Sequence, residues 1–164
     1  MLLDDSLRAL ELVRGEGDPV LDVGSGGGAP GIPLAHALRE KEFVLLEAQE
    51  RKCAFLRRFA PPNARVIHGR AEEQALDWAG CALAKALAAP AVATEWCLPL
   101  VRPGGAVVLW VGPSADPTAV ATVAGRLAAE LETRTDGFFM LRKLGPTPEG
   151  FPRRPGMAKK RPLA

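Results

Sequence analysis

An aspartate, a run of glycines and a second acid at the end of the next apolar run form the most reactive-looking pattern in the chain. In LDVGSGGGAPG (21–31), Asp22 stands two residues ahead of Gly24, and Gly24, Gly26, Gly27 and Gly28 fall within five positions. Glycine admits positive φ and lets backbone approach a ligand closely, so this density points to a loop that cradles a bound molecule. Glu47 closes FVLLE (43–47), a little over 20 residues further on. From there a carboxylate can grip the hydroxyls of a ribose.

Two kinds of ligand compete for such a loop. Gly24, Gly26 and Ala29 formally satisfy the dinucleotide pattern. A pyrophosphate, however, is held by free amides opening an uninterrupted helix, and Pro30 and Pro33 break into that opening. Pro30 also removes one amide donor. Asp22 would repel a phosphate, whereas its carboxylate suits a cationic amino group. S-adenosylmethionine (SAM) carries an ammonium, a sulfonium and a ribose diol, and no phosphate. The pair Asp22 and Glu47 around GSGGG favours SAM over NAD.

These residues need a scaffold, and the hydropathy pattern supplies one. PVLDV (19–23), FVLLE (43–47), RVIHG (65–69) and AVVLWV (106–111) read as buried strands, and CALAKAL (81–87) as either a fourth strand or the start of a helix. Segments 6–13, 33–40, 49–60, 71–78, 91–100 and 118–131 read as helices between them. Asp136-Gly137 marks a hairpin turn into FFMLRKL. Alternating strand and helix implies a mostly parallel α/β sheet, here closed by an antiparallel C-terminal hairpin. In such a sheet ligands sit beyond the carboxyl ends of the strands, where the glycine loop lies.

The 164 residues suit one domain, and 48% hydrophobic with 24% charged residues excludes a disordered chain. No apolar run approaches the ~20 residues of a membrane span, and MLLDDSLRAL has acid where a signal peptide has base. A cytoplasmic location is the expectation. Cys53, Cys81 and Cys97 lack metal spacing and read as buried free thiols. The net charge of +2 divides unevenly: residues 141–164 carry +6 and the body −4. The proline-rich basic stretch 145–164 therefore reads as an arm for an anionic partner.

LDVGSGGGAPGIPLA, LLEAQERKCAFLRR, GRAEE, LPLVRPGG and FPRRPGMAKKRPL occur in this order over residues 3 to 162. The set resembles the small-subunit ribosomal RNA methyltransferase G family, also called glucose-inhibited division protein B. That resemblance implies a class I SAM-dependent methyltransferase (Rossmann-like) fold and methylation of a guanine at N7 in bacterial 16S rRNA, with the small subunit or its RNA as partner and the enzyme a monomer. Carried over by motif, Gly24 and Ala29 contact the cofactor, Glu47 holds its ribose, and Ala71 and Glu72 lie against its adenine. Lys85 stands where the family usually has an arginine, also counted in the cofactor site, and Val111 where a lysine is expected. The family's helical N-terminal segment, with a histidine before DSL, has no counterpart ahead of Asp5.

Guanine N7 has a lone pair and no proton to lose, so its methylation demands in-line positioning and no general base. That suits a chain whose histidines, His36 and His68, have no evident catalytic partner. Cys97 lacks the preceding proline of a pyrimidine C5 methyltransferase, and LAKALAAP lacks the Asn/Asp-Pro-Pro-aromatic run of amine methylation. With no tyrosine present, Trp78, Trp96 and Trp110 read as packing residues and no base-stacking platform is expected. Arg153, Arg154, Lys159, Lys160 and Arg161 in the arm are the candidate RNA contacts; Arg51, Lys52, Arg57 and Arg58 read equally well as a solvated helix face. Two alternatives remain at this level: a shortened relative that binds SAM, and RNA, without turnover, and a methyltransferase for a small molecule.

Overall fold

Val20 and Asp22 point to one side of their strand, and Leu21 and Val23 to the other, yet all four are buried. Strands with two apolar faces must lie between helical layers, and the computed structural model, which describes residues 2–164, places them there. Its helices are α1 (Leu2–Leu7), α2 (Leu10–Arg14), α3 (Gly31–Ala37), α4 (Glu50–Phe59), α5 (Pro90–Cys97), α6 (Pro117–Arg126) and α7 (Met157–Lys160). Its strands are β1 (Val20–Val23), β2 (Phe43–Glu47), β3 (Ala64–His68), β4 (Ala79–Ala84), β5 (Val101–Trp110), β6 (Ala129–Thr135) and β7 (Phe138–Lys143).

The seven strands form one sheet in the order β3-β2-β1-β4-β5-β7-β6. It is parallel from β3 through β5, and β7 runs antiparallel to both β5 and β6. Strand order reverses between β1 and β4, which opens a crevice at their carboxyl ends. Two core clusters cover the faces. Leu21, Val23, Ala82, Val107 and Leu109 pack with α5 and α6, while Val20, Phe43, Leu83 and Val108 pack with α2 and α3.

Four expectations change in detail. Segment 6–13 is two short helices broken at Arg8-Ala9; Arg8 donates to Asp136 O at 3.0 Å and lies 5.2 Å from the Phe138 ring centroid. Segment 71–78 holds only a 3-10 turn, Ala71–Glu73, before Asp77 turns at φ +54°. The ambiguous segment at 81–87 is strand β4 up to Ala84. The helix expected to run to Leu131 stops at Arg126; Ala128 turns at φ +56°, and Ala129 and Leu131 pair instead with Lys143 and Leu141 of β7. Their alternating apolar spacing serves a strand as well as a helix, and the cross-strand bonds decide.

The arm leaves β7 at a buried polar anchor. Lys143 is fully buried and donates to Leu98 O at 2.7 Å, Val101 O at 3.0 Å and the Asp77 carboxylate at 2.9 Å. Burial pulls the Lys143 ammonium below its ordinary range while Asp77 opposes it. Thr147 N–H and hydroxyl both donate to the same carboxylate, so the start of the arm is held by the strand it departs from. Among the described residues no helix is long and apolar enough to cross a membrane.

Candidate active site

A cavity of about 590 Å³ opens at the carboxyl ends of β1, β2 and β4, within the range of small-molecule sites. One wall is the glycine loop. Gly24 and Ser25 N–H both donate to Leu46 O, at 2.8 and 3.0 Å, and Gly28 N–H donates to Ser25 O at 2.7 Å. Gly24 turns at φ +71°, and a side chain there would run into Leu87. Gly28, at φ +100°, faces inward, with Ile32 Cδ1 only 2.5 Å from where its Cβ would stand. Gly24, Gly26, Gly27 and Ala29 line the cavity, while Gly28 shapes the loop from behind.

Glu47 is the hinge of this wall. It is 6% exposed; Oε2 accepts from Gly26 N–H at 2.9 Å and Oε1 from Gln49 N–H at 3.1 Å. A carboxylate has about four acceptor sites, so each oxygen keeps capacity toward the cavity for a diol. Asp22 occupies a different place. Its carboxylate is 1% exposed, lies behind the loop and accepts from Gly31 N–H, at the start of α3, at 3.0 Å. Burial, with a smaller push from the negative charge of Glu47, raises its pKa to about 7. Asp22 does not line the cavity; it ties the loop to α3.

The loop amides also discriminate between ligand classes. Those of Gly24, Ser25, Gly26, Gly28 and Gly31 already donate to protein acceptors, so few remain to cradle a pyrophosphate. The residues that could hold SAM are the close-approach backbone for its amino-acid end, Glu47 for the ribose, and Ala71 with Glu72 for the base.

The opposite wall draws on residues the sequence reading did not assemble. Glu72 accepts from Gly156 N–H at 3.0 Å, which brings the arm to the cavity rim. Lys159 lines the cavity with Trp96, its Nζ 5.4 Å from the indole centroid, so Trp96 is a wall residue as well as a packing one. Arg153, expected to face RNA, donates instead to both oxygens of Glu95 at 2.5 and 2.6 Å. Glu95 is 3% exposed, and its bonds raise the Arg153 pKa still further. Arg154, Lys160 and Arg161 stay exposed.

Lys85 lines the cavity and pairs with Asp5 of α1 at 3.1 Å, which couples the N-terminal helix to the site. Gln49 and Lys52 complete the mouth. No local signal marks Asp5, Glu95 or Lys159, because their partners stand 58 to 80 residues away in sequence. The cysteines are buried, and desolvation pushes Cys81 up to about 12 and Cys97 further still, which removes both as nucleophiles. His68 sits on the surface, its Nδ1 2.8 Å from Glu50.

Among solved structures the fold matches a SAM-dependent O-methyltransferase from Thermotoga maritima with a TM-score of 0.67 at 15% identity, covering 89% of this chain and 67% of that one. It also matches a TehB-like SAM-dependent methyltransferase from Corynebacterium glutamicum, with a TM-score of 0.63 at 17% identity, covering 84% and 86%. These show a class I SAM-dependent methyltransferase fold. A curated relative from Pelotomaculum thermopropionicum, named ribosomal RNA small subunit methyltransferase G, is 37% identical across 97% of this chain and 76% of its own length. One of the same name from a Synechococcus strain is 35% identical across 97% and 72%. A family model described as rRNA small subunit methyltransferase G matches residues 1–124. The chain belongs to the rRNA small subunit methyltransferase G family.

Proposed function

We propose that this chain transfers the methyl group of SAM to N7 of a guanine in small-subunit ribosomal RNA. The observation that carries the reading is Glu47: one buried carboxylate that both fixes the glycine loop through Gly26 and keeps acceptor capacity toward the cavity. SAM supplies an electrophilic methyl group, and the guanine lone pair supplies the nucleophile. The chain's task is then to bind, orient and exclude water, which in a near-attack geometry lowers a barrier by about 7–11 kcal/mol. Gly24, Gly26 and Ala29 give the amino-acid end a close backbone floor, and Glu47 fixes the ribose. Ala71 and Glu72 confine the base, and Lys85, steadied by Asp5, stands at the rim.

No group needs to take a proton at N7, in keeping with a cavity whose lining includes neither histidine. Lys159 lines the cavity, and the exposed Arg154, Lys160 and Arg161 of the same segment suit phosphate contacts. The enzyme acts in the cytoplasm, as a single chain, on the RNA or on the small subunit. The test is transfer of a labelled methyl group from SAM to small subunits lacking native N7 methylation, mapped by N7-sensitive strand cleavage. Incorporation at one guanine supports the reading. Confirmed SAM binding without incorporation favours a binding-only relative, and transfer to a small molecule alone would sink it.

A further inference from the structure

The helix α4 carries an unpartnered face with a composition unlike the rest of the surface. Its N-terminus is at the cavity mouth, where Gln49 and Lys52 line the opening. Cys53 and Leu56 turn inward, and at helical spacing Arg51, Phe55, Arg58 and Phe59 share the outward face. Phe55 and Phe59 are 47% and 50% exposed, their ring centroids 4.7 Å apart at 42°. The Arg58 guanidinium stands 5.5 Å from the Phe59 centroid. An exposed pair of touching aromatic rings, flanked by cations, is a cluster rather than scattered surface hydrophobics.

We propose that this face binds single-stranded RNA beside the target guanine, with unstacked bases laid on Phe55 and Phe59. Aromatic rings with interleaved cations form the combination that holds single-stranded nucleic acid with little sequence preference. The face is continuous with the cavity through Lys52, and from Lys52 to Phe59 the helix rises about 10 Å, room for one or two nucleotides. Arg51 and Arg58 supply charge complementary to phosphate, while Arg57 is held by Glu50 at 3.0 Å and contributes less. A base-stacking surface thus exists in a chain without tyrosine, on a helix whose basic residues alone read as ordinary solvated charge. The proposal rests on the rRNA reading for the identity of its partner.

The test is fluorescence anisotropy of a short, labelled, mixed-sequence single-stranded oligoribonucleotide against the full chain at several salt concentrations. Phe55→Ala with Phe59→Ala should weaken binding by roughly 10- to 100-fold with the salt slope unchanged. Phe55→Leu with Phe59→Leu keeps apolar area but removes the π faces, and should weaken binding nearly as much. Arg51→Gln with Arg58→Gln should lower the salt slope by about 1.4. SAM titrations matching wild type in every variant show that the fold is kept.

Wild-type affinity in the leucine pair, or no binding by wild type, overturns the proposal. So does a concentration-dependent dimer that the alanine pair abolishes while RNA affinity is untouched, since a second copy is then the occupant. Failure of wild type to methylate small subunits, with this binding pattern intact, counts against the rRNA reading and not against the stacking face.

Discussion

The two walls of the cavity are built by different means. The glycine-loop wall is local: Asp22, the glycines and Glu47 come from two adjacent strand ends, and hydrogen bonds between neighbouring elements fix it. The wall formed by the arm is assembled across the chain, by Glu95 with Arg153 and Glu72 with Gly156. The first wall is bonded directly to two strands of the sheet, through Leu46, Glu47 and Asp22. The second is a docked segment held at a few polar points, and it bears the exposed cations suited to RNA. On the proposed function, the scaffold-bonded wall serves the cofactor and the docked arm serves the polyanionic substrate.

The largest effect should come from the glycine-loop wall. Glu47→Ala removes the acceptor of two backbone amides, and bonds to a charged group are worth about 1.5–3 kcal/mol each. SAM affinity measured by calorimetry should fall by at least about 30-fold, and Tm should drop as well. Next is the docked wall. Arg153→Ala leaves Glu95 buried without its partner, a loss of about 2 kcal/mol once the partial exposure of Arg153 is allowed for. Proteolysis near Arg154 should accelerate, and SAM affinity should fall several-fold, less than with Glu47→Ala. Equal losses from the two variants would erase the contrast between the walls.

Smaller effects refine it. Lys160→Glu with Arg161→Glu should weaken RNA binding and lower its salt slope by about 2 while SAM affinity stays put. Adding Lys159→Glu should disturb SAM affinity too, since Lys159 lines the cavity. The smallest effect on ligand affinity belongs to Asp22. Its carboxyl has a folded pKa raised to about 7 from the ordinary 3.8, so the folded state holds this proton more tightly than the unfolded one. The stability it contributes is full below the unfolded value and is lost as pH rises through the folded one. In Asp22→Asn that loss disappears, so the variant's Tm relative to wild type should rise by about 5–10 °C between pH 5 and pH 8. Its SAM affinity should stay unchanged.

Much of this was legible in the residues. FVLLE is β2 over its full length, and the antiparallel hairpin is where Asp136-Gly137 marked it. The glycine loop lies at the carboxyl end of β1, as alternating strands and helices require. What periodicity could not separate was the end of α6 from the start of β6, because Ala129 and Leu131 satisfy both repeats until β7 pairs with them. Asp22 was read toward the ligand and lies behind the loop, since its strand face points to α3 and the Gly31 amide. From sequence Arg153 reads as an RNA contact; nothing near it announces Glu95, 58 residues earlier. Contacts between adjacent elements could be read from the sequence, and long-range ion pairs could not.

Whether Glu47 anchors the cofactor is decided by a calorimetric titration of SAM into the wild-type chain and into Glu47→Ala. If that role holds, the wild type shows one site and the variant binds at least about 30-fold more weakly. Indistinguishable affinities, or no SAM binding by wild type, would contradict it.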